Sequence, residues 1–177
     1  MSSLYGMSGM SKQLSTNAVA VAAGLSESWA WRARDQGILF EPHFEDSVVA
    51  LRVYAFVSQI VWPGTRRARS ARQELELWQS TAVETARQAA SDPNTTPDTA
   101  LWVLEDSVHL VTTPAERAAF DLEYLNGRVA IRIPVGLWVA ELPDAIAGQV
   151  DRSRSRRRAT AARARNSTAS LPAAAGA

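Results

Sequence analysis

The sequence predicts an α+β protein: an N-terminal helical domain, a long connecting helix, a small C-terminal α+β module and a disordered basic tail. Apolar residues recur at helical spacing through the first half of the chain, and short β-type runs follow a proline-containing linker. The C-terminal residues form a low-complexity segment rich in arginine, serine and alanine. The predicted parts are a flexible arm (1–13), the helical domain (14–64), the connecting helix (65–90), the α+β module (99–150) and the tail (151–177).

The composition of the 177-residue chain fits a folded protein and excludes several kinds of site. Hydrophobic residues make up 46% of the chain and charged residues 21%, which is enough apolar material for a packed core. Cysteine is absent, so a disulfide framework, a thiolate metal site and a cysteine nucleophile are excluded. His43 and His109 lack metal-ligand spacing, and the chain has no phosphate loop and no serine elbow. We therefore expect no metal, no cofactor and no enzymatic activity.

Two further patterns bear on location. No apolar run approaches the ~20 residues that a membrane-spanning helix needs. The N-terminal segment MSSLYGMSGMSKQ lacks the basic and apolar regions of a signal peptide. We therefore expect no membrane partner and a cytoplasmic, nucleoid-associated protein.

The formal net charge of +1 hides an uneven distribution of charge. Residues 91–150 contain nine acidic residues and three arginines, whereas residues 151–177 contain seven arginines and one aspartate. Residues 1–64 carry one more acidic than basic residue, and residues 65–90 carry five arginines against three glutamates. This asymmetry predicts a tail that binds a polyanion, joined to a neutral or acidic body.

Two short helices separated by a tight turn are predicted near the N-terminus. A capping side chain at Ser15–Asn17 precedes the apolar run AVAVAAGL, and Gly24 ends that helix. Ser26 caps a second helix, ESWAWRARDQ, which Gly37 closes. Ala20 supplies the small side chain needed where two helices cross closely, so the pair has the layout of a helix-turn-helix.

A third helix is expected after the extended segment ILFEPHF, where Pro42 excludes helical backbone. Asp46 or Ser47 caps it, and its sequence SVVALRVYAFVSQIVW has apolar residues at helical spacing up to the stop at Pro63-Gly64. This helix completes the predicted N-terminal domain.

This part of the chain resembles the winged helix-turn-helix of MerR-type regulators and of the related excisionase-like DNA-binding proteins. The resemblance covers about residues 15–63 and is carried by A-G-L-S at 23–26, the arginine-rich second helix, G-I-L at 37–39, the proline turn and the helix EDSVVALRVYAFV. The chain departs from the family in its wing, which is reduced to FEPH, and in lacking the cysteines of the metal sensors. The family's arginine–tyrosine–tyrosine run is also replaced by W-R-A at 31–33. The resemblance therefore implies DNA binding, but not metal sensing or inducer binding.

In that family the second helix enters the major groove, which makes its outward side chains the candidate DNA contacts. Arginine can pair bidentately with guanine edges or phosphates, and serines near a helix N-terminus can bond a phosphate. The alternative is that the tryptophans belong to the core and the arginines form a solvated face. The predicted DNA-binding residues are Ser26, Ser28, Trp31, Arg32, Arg34, Arg66, Arg67, Arg69, Arg154, Arg156, Arg157 and Arg158.

The arginines after residue 64 enter this set because residues 1–64 are slightly acidic, whereas neutralisation of phosphates dominates DNA affinity. The cluster at 66–72 and the seven tail arginines could contact phosphates without sequence selectivity. The alternatives are a solvated helix face for the cluster and a solubilising end for the tail.

The connecting helix, expected over 66–90, carries a seam for one partner helix. Small and apolar residues recur along it at spacings of three and four, and Leu75, Trp78 and Ala82 are the predicted dimerisation residues. The family resemblance also implies pairing through a long helix after the DNA-binding domain. Packing of the seam within the chain, against the α+β module, is the alternative.

The segment 99–150 predicts the order β-β-α-β-β-α. LWVL and VHLV flank EDS as a hairpin, and the T-P-A-E capping box at 113–116 opens the helix ERAAFDLEYL. VAIRIPV and LWVAEL, separated by Gly136, are the next two predicted strands, and a short last helix is expected from Pro143. His109 is predicted to point outward from its strand.

The favoured hypothesis is a sequence-specific DNA-binding protein of bacterial type that docks as a homodimer on paired half-sites of double-stranded DNA. Its role would be transcriptional regulation, or an accessory role in replication, partition or recombination on a mobile element. The alternative is a non-catalytic interaction or scaffold protein that binds a protein partner through the acidic module at 99–150. An enzyme is a third option that no residue pattern favours.

Overall fold

The structure, a computed structural model, describes residues 13–62 and 76–148 and has the predicted α+β class. The predicted tail and residues 1–12 of the predicted arm lie outside the described residues. Helices and a three-stranded antiparallel sheet make up the described part, and residues 142–148 are also helical. The elements are α1 (Thr16–Ala22), α2 (Glu27–Asp35), α3 (Glu45–Val57), α4 (Leu77–Ser91), β1 (Ala100–Val103), β2 (Val108–Val111), α5 (Pro114–Glu123), β3 (Ile131–Ile133) and α6 (Val135–Ala140).

Helix α1 begins and ends where its capping residues predict. The Ser15 hydroxyl accepts a hydrogen bond from the amide of Ala18 at 3.2 Å. At the other end Gly24 has φ +73°, a left-handed conformation that glycine adopts without a Cβ clash. The amides of Leu25 and Gly24 donate to the carbonyls of Ala20 and Val21 at 2.9 and 3.0 Å. This hydrogen-bond pair is the Schellman motif.

Helix α2 ends in a second Schellman motif. Gly37 has φ +69°, and its amide donates to the carbonyl of Arg34 at 3.0 Å. The amide of Ile38 donates to the carbonyl of Ala33 at 2.8 Å. Both turns that flank α2 therefore have a fixed backbone shape, and glycine stands at the position that each shape requires.

Helix α3 is shorter than predicted and begins earlier. It starts at Glu45, with Phe44 as the residue before it, so neither Asp46 nor Ser47 is the N-cap. The hydroxyl of Ser47 instead accepts a hydrogen bond from the amide of Phe44 at 3.3 Å. The helix ends at Val57, five residues before the last residue of the predicted run. Most of α3 is buried, which places it at the centre of the molecule.

The predicted long helix over 66–90 is wrong at its N-terminal end. Glu76 has extended backbone, with φ −68° and ψ 153°, and α4 begins only at Leu77. Residues 63–75, which include part of the predicted helix, lie outside the described residues. The described part of the predicted helix is therefore a helix of 15 residues, and Glu76 separates it from anything before it.

Small residues on α4 pack against α3 of the same chain. Ala82 and Ala86 are fully buried and Ala89 nearly so, and α3 and α4 form the most extensive helix pair of the described residues. The amide group of Gln79 also donates to the carbonyl of Val57, at the C-terminal end of α3, at 3.2 Å. Because Ala82 is fully buried within the chain, its side chain is not available to a second copy of the chain.

The sheet has the strand order β2-β1-β3, with both pairings antiparallel. The predicted hairpin is present: Trp102 lies opposite His109 across β1 and β2. One face of the sheet, which includes Leu101 and Ile133, belongs to the same apolar core as α3 and α4. The proline-containing segment at 91–98 therefore does not separate two cores, because residues before it and after it belong to one core.

Helix α5 covers the other face of the sheet, and it begins at the predicted capping box. The hydroxyl of Thr113 accepts from the amide of Glu116 at 3.2 Å, and the Glu116 carboxylate accepts from the amide of Thr113 at 3.3 Å. Phe120 of α5 packs on the rings of Trp102 and His109, with centroid distances of 5.4 and 5.3 Å. The prediction that His109 points outward is therefore wrong, because α5 lies over the face that the histidine occupies.

The predicted strand LWVAEL is a helix. The apolar side chains of this segment, Val135, Trp138, Val139 and Leu142, recur at spacings of three and four and are all buried or half-buried. Gly136 lies so close to the loop before β1 that a Cβ would clash with the carbonyl oxygens of Thr96 and Thr99.

Replacing Gly24 by alanine is expected to lower the free energy of unfolding by about 1 kcal/mol, because an L-residue is strained at this φ. No atom lies within 4 Å of a Cβ built there, so backbone strain alone accounts for the expected loss. Urea unfolding of Gly24→Ala measures it. Gly148→Ala is the matched control, since that glycine has open space and no positive φ. Equal losses in the two variants would contradict the assignment.

The stability of the chain is expected to depend on His109 below neutral pH. Burial lowers the pKa of His109, whereas the nearby Asp106 and Glu123 raise it and Arg128 lowers it. The unfolded chain therefore binds the proton more tightly, and the stabilisation is complete above the ordinary pKa of 6.5 and lost as the pH falls through the folded-state pKa. Thermal unfolding between pH 7.5 and 5 should show a smaller pH-dependent loss in His109→Gln than in the unmutated chain. Parallel curves would rule out this role.

Candidate nucleic-acid interface

The exposed face of α2 holds the side chains that the sequence predicted for DNA contact. Ser26, at the N-cap of the helix, and Ser28, Trp31, Arg32 and Arg34 in the helix are all exposed. The opposite face of the helix, formed by Ala30 and Ala33, is fully buried against the rest of the N-terminal helices. The small alanines let α2 pack closely, and the polar and aromatic side chains are left on the surface.

Each of the two arginines on α2 lies over a tryptophan ring of the same helix. The guanidinium carbon of Arg32 is 4.8 Å from the ring centroid of Trp29, and that of Arg34 is 5.0 Å from that of Trp31. Both pairs are three residues apart, the spacing at which helix side chains meet. A guanidinium group that lies over an indole ring leaves the N–H groups at its edge available to a planar acceptor such as a phosphate or a guanine edge.

Arg32 and Arg34 lie on opposite flanks of α2. Two residues advance the helix by about 200°, so the two arginine side chains leave the helix in nearly opposite directions. Trp31 and Asp35 lie between the two arginines on the helix surface, and Trp31 is 45% exposed. The indole N–H of Trp31 donates to the carboxylate of Glu27 at 3.2 Å. The exposed face therefore presents one guanidinium group on each flank and an indole ring between them.

The N-terminal end of α2 leaves its serine hydroxyls directed away from the helix amides. Ser26 is the N-cap residue, but its side chain makes no capping hydrogen bond. Its hydroxyl instead lies 2.8 Å from the hydroxyl of Ser28. This hydroxyl pair is exposed next to the N-terminal turn of α2, where the helix dipole favours an anion.

Arg32 is linked to the core through Trp29, the ring over which it lies. The ring of Trp29 meets that of Tyr54 edge to face, with 5.8 Å between the centroids. Burial raises the pKa of the Tyr54 hydroxyl, and the positive charge of Arg32 together with a hydrogen bond from Ser58 opposes that rise. Trp29 therefore belongs partly to the core, which agrees with the alternative prediction that the tryptophans are core residues. Arg32, which lies over its ring, is exposed.

The charge around α2 is close to neutral. Arg32 and Arg34 share this helix with Glu27 and Asp35, and Glu41 lies in the loop that follows it. Strong phosphate binding therefore needs basic residues from elsewhere in the chain. The predicted contributors Arg66, Arg67, Arg69, Arg154, Arg156, Arg157 and Arg158 lie outside the described residues.

The predicted dimerisation residues are not brought together on one exposed face. Ala82 is fully buried, and Trp78 is half-buried with its ring 5.9 Å from that of Trp62. Leu75 lies outside the described residues. Dimerisation itself stays a prediction, but the described part of its predicted seam packs within the chain.

Two arginines that the sequence analysis did not select hold the turns on either side of α2. Arg52 of α3 donates to the carbonyls of Ala22 and Ala23, and Arg87 of α4 donates to the carbonyl of Ile38 at 2.7 Å. The position of Arg52 within an otherwise apolar helix was the pattern that could have indicated a buried partner.

Other kinds of site find little support in residues 13–62 and 76–148. No group of three or more histidine and acidic side chains there could hold a metal ion. No helix in the same residues is long and apolar enough to cross a bilayer.

A comparison of the chain with protein-family models, with curated proteins and with solved structures finds no match.

Proposed function

We propose that this chain is a sequence-specific DNA-binding protein that reads the major groove with α2. The observation that carries the proposal is the outward face of this helix, on which the guanidinium groups of two arginines lie over tryptophan rings at opposite flanks. Arginine is the residue that most often reads guanine, through its O6 and N7 atoms. Pre-positioned side chains also lose less entropy on binding than free ones.

In this proposal α1, the Gly24 turn and α2 form a helix-turn-helix, with α3 as the helix behind it. A short antiparallel bridge, in which the amide of Leu14 donates to the carbonyl of His43 at 2.9 Å, joins the segment before α1 to the loop after α2. This loop takes the place of a wing, and it presents Phe40, which is 60% exposed. This arrangement supports our proposal that residues 15–63 are related to the MerR-like and excisionase-like DNA-binding domains.

The affinity would come largely from arginines other than those of α2, because the described N-terminal residues carry more acidic than basic side chains. The arginines of 66–72 and 151–177 would neutralise phosphates beside the site, and a homodimer would place two α2 helices on paired half-sites. The biological role that fits is transcriptional regulation, or an accessory role on a mobile element of a bacterium.

Selection of binding sites from random duplex DNA tests this function directly. The unmutated chain should enrich a defined sequence, and Arg32→Ala with Arg34→Ala should reduce affinity for it at least about tenfold for each lost bidentate contact. Affinity for a scrambled duplex should fall much less. Arg132→Ala is the control, because this exposed arginine lies on β3 rather than on α2. Failure of the unmutated chain to enrich any sequence would refute the proposal.

The tail is expected to act without sequence preference. Replacing Arg156, Arg157 and Arg158 by serine should weaken binding to the selected and the scrambled duplex alike. The slope of log K against log salt concentration should become less steep by up to about three, since each phosphate contact contributes about 0.9. Gel-shift titrations over a range of salt concentrations measure this. An unchanged slope would exclude phosphate contacts by these residues.

A second candidate function is that of an interaction or scaffold protein that binds a protein partner through the C-terminal module. The observation that favours it is Leu122 of α5, which is 83% exposed between the acidic side chains of Asp121 and Glu123. This candidate predicts that the full chain enriches no DNA sequence in the selection described above.

A further inference from the structure

The C-terminal end of α1 leaves two carbonyl groups for which the Schellman motif has no donor. The motif satisfies the carbonyls of Ala20 and Val21 through backbone amides. The carbonyls of Ala22 and Ala23 point instead toward α3, where the Arg52 guanidinium donates to them at 3.1 and 3.3 Å. A cation at this end is also favoured by the helix dipole. The turn that leads into α2 is therefore completed by a side chain of another helix.

The same guanidinium reaches the C-terminal part of the chain. Its third nitrogen donates to the carboxylate of Glu141, directly after α6, at 3.3 Å, and its carbon lies 5.8 Å from the ring centroid of Trp138. The side chain of Arg52 is only 16% exposed. One planar group with donors in fixed directions thus joins the turn before α2 to α6.

We propose that Arg52 is a positioning residue for the DNA-reading helix: it ties the turn before α2 to α6, so that the orientation of α2 depends on the C-terminal module. The effect of Arg52 on DNA binding rests on the proposed function, whereas its effect on the position of α2 does not. Arg52 itself does not contact DNA. It acts by fixing the angle at which Arg32 and Arg34 leave the surface, and a small error in this angle misaligns both with the base edges.

The fork geometry of arginine explains why a simple positive charge would not suffice. A lysine ammonium at this position could satisfy one carbonyl or the carboxylate, but it cannot hold all three acceptors in one plane. The turn would then keep its Schellman hydrogen bonds and lose part of its connection to α3 and α6. Arg52→Lys is therefore expected to lie between the unmutated chain and Arg52→Met in every readout.

The experiment combines hydrogen exchange with DNA binding on the full chain. In Arg52→Met, amide exchange should accelerate in residues 22–36, and exchange in β1 and α5 should stay unchanged. Affinity for the duplex recovered by selection should fall about tenfold, whereas affinity for a scrambled duplex and the salt slope should stay as in the unmutated chain. Arg117→Met is the matched control. This arginine is also stacked on an indole, that of Trp102, and is ion-paired with Asp121 in α5, away from α2.

The outcomes separate this proposal from the proposed function. Accelerated exchange spread evenly over the chain would overturn it, because Arg52 would then be a general stabilising residue. A reduced salt slope in Arg52→Met would also overturn it by making Arg52 a phosphate contact, as would unchanged exchange in residues 22–36. If selection recovers no duplex, the proposed function fails, and the exchange measurement alone decides whether Arg52 positions α2. Arg52→Lys repeats the measurement if Arg52→Met does not fold.

Discussion

The close packing of α4 on α3 is the contact on which the rest of the structure depends. Alanines at buried positions of α4 allow the two helix backbones to approach closely, and α3 is apolar around most of its circumference, as expected of a helix inside a core. The helices α1 and α2 contact α3, the strands β1 and β2 contact α4, and α6 contacts both α3 and α4. The helix pair thereby fixes where α2 lies relative to the C-terminal elements, and Arg52 and Arg87 extend this support to the turns at both ends of α2.

Features that depend on local backbone chemistry could be predicted from the sequence. The cap at Ser15, the glycine turns at Gly24 and Gly37 and the capping box at 113–116 all occur where the residue types indicate, because each requires only a few adjacent residues. Local prediction failed at the start of α3, where neither Asp46 nor Ser47 is the N-cap. The larger errors concern features that tertiary packing decides. The segment LWVAEL has the β-branched and aromatic composition of a strand, yet its apolar positions also fit a helix. It is helical in the structure, where the amide of Gly136 donates to the carbonyl of Thr99.

The candidate interface shows the same division. An amphipathic reading of α2 is enough to place Arg32 and Arg34 on its surface, since the alanines at 30 and 33 define the buried side. The groups that support this surface could not be predicted in the same way. Arg52 and Glu141 are 89 positions apart, and only the folded chain brings them together. Sequence periodicity reports which side of a helix is buried, but not which distant residue meets it.

Five of the seven arginines in the described residues lie over aromatic rings. Besides the two pairs on α2, the guanidinium groups of Arg52, Arg87 and Arg117 lie over aromatic rings. The chain contains 18 arginines and a single lysine, Lys12. Enzymes that acetylate or ubiquitinate lysine side chains would find almost no substrate along these residues. Control of the positive charge of this chain by covalent modification would therefore have to act on arginine itself, or on the hydroxyl groups beside it.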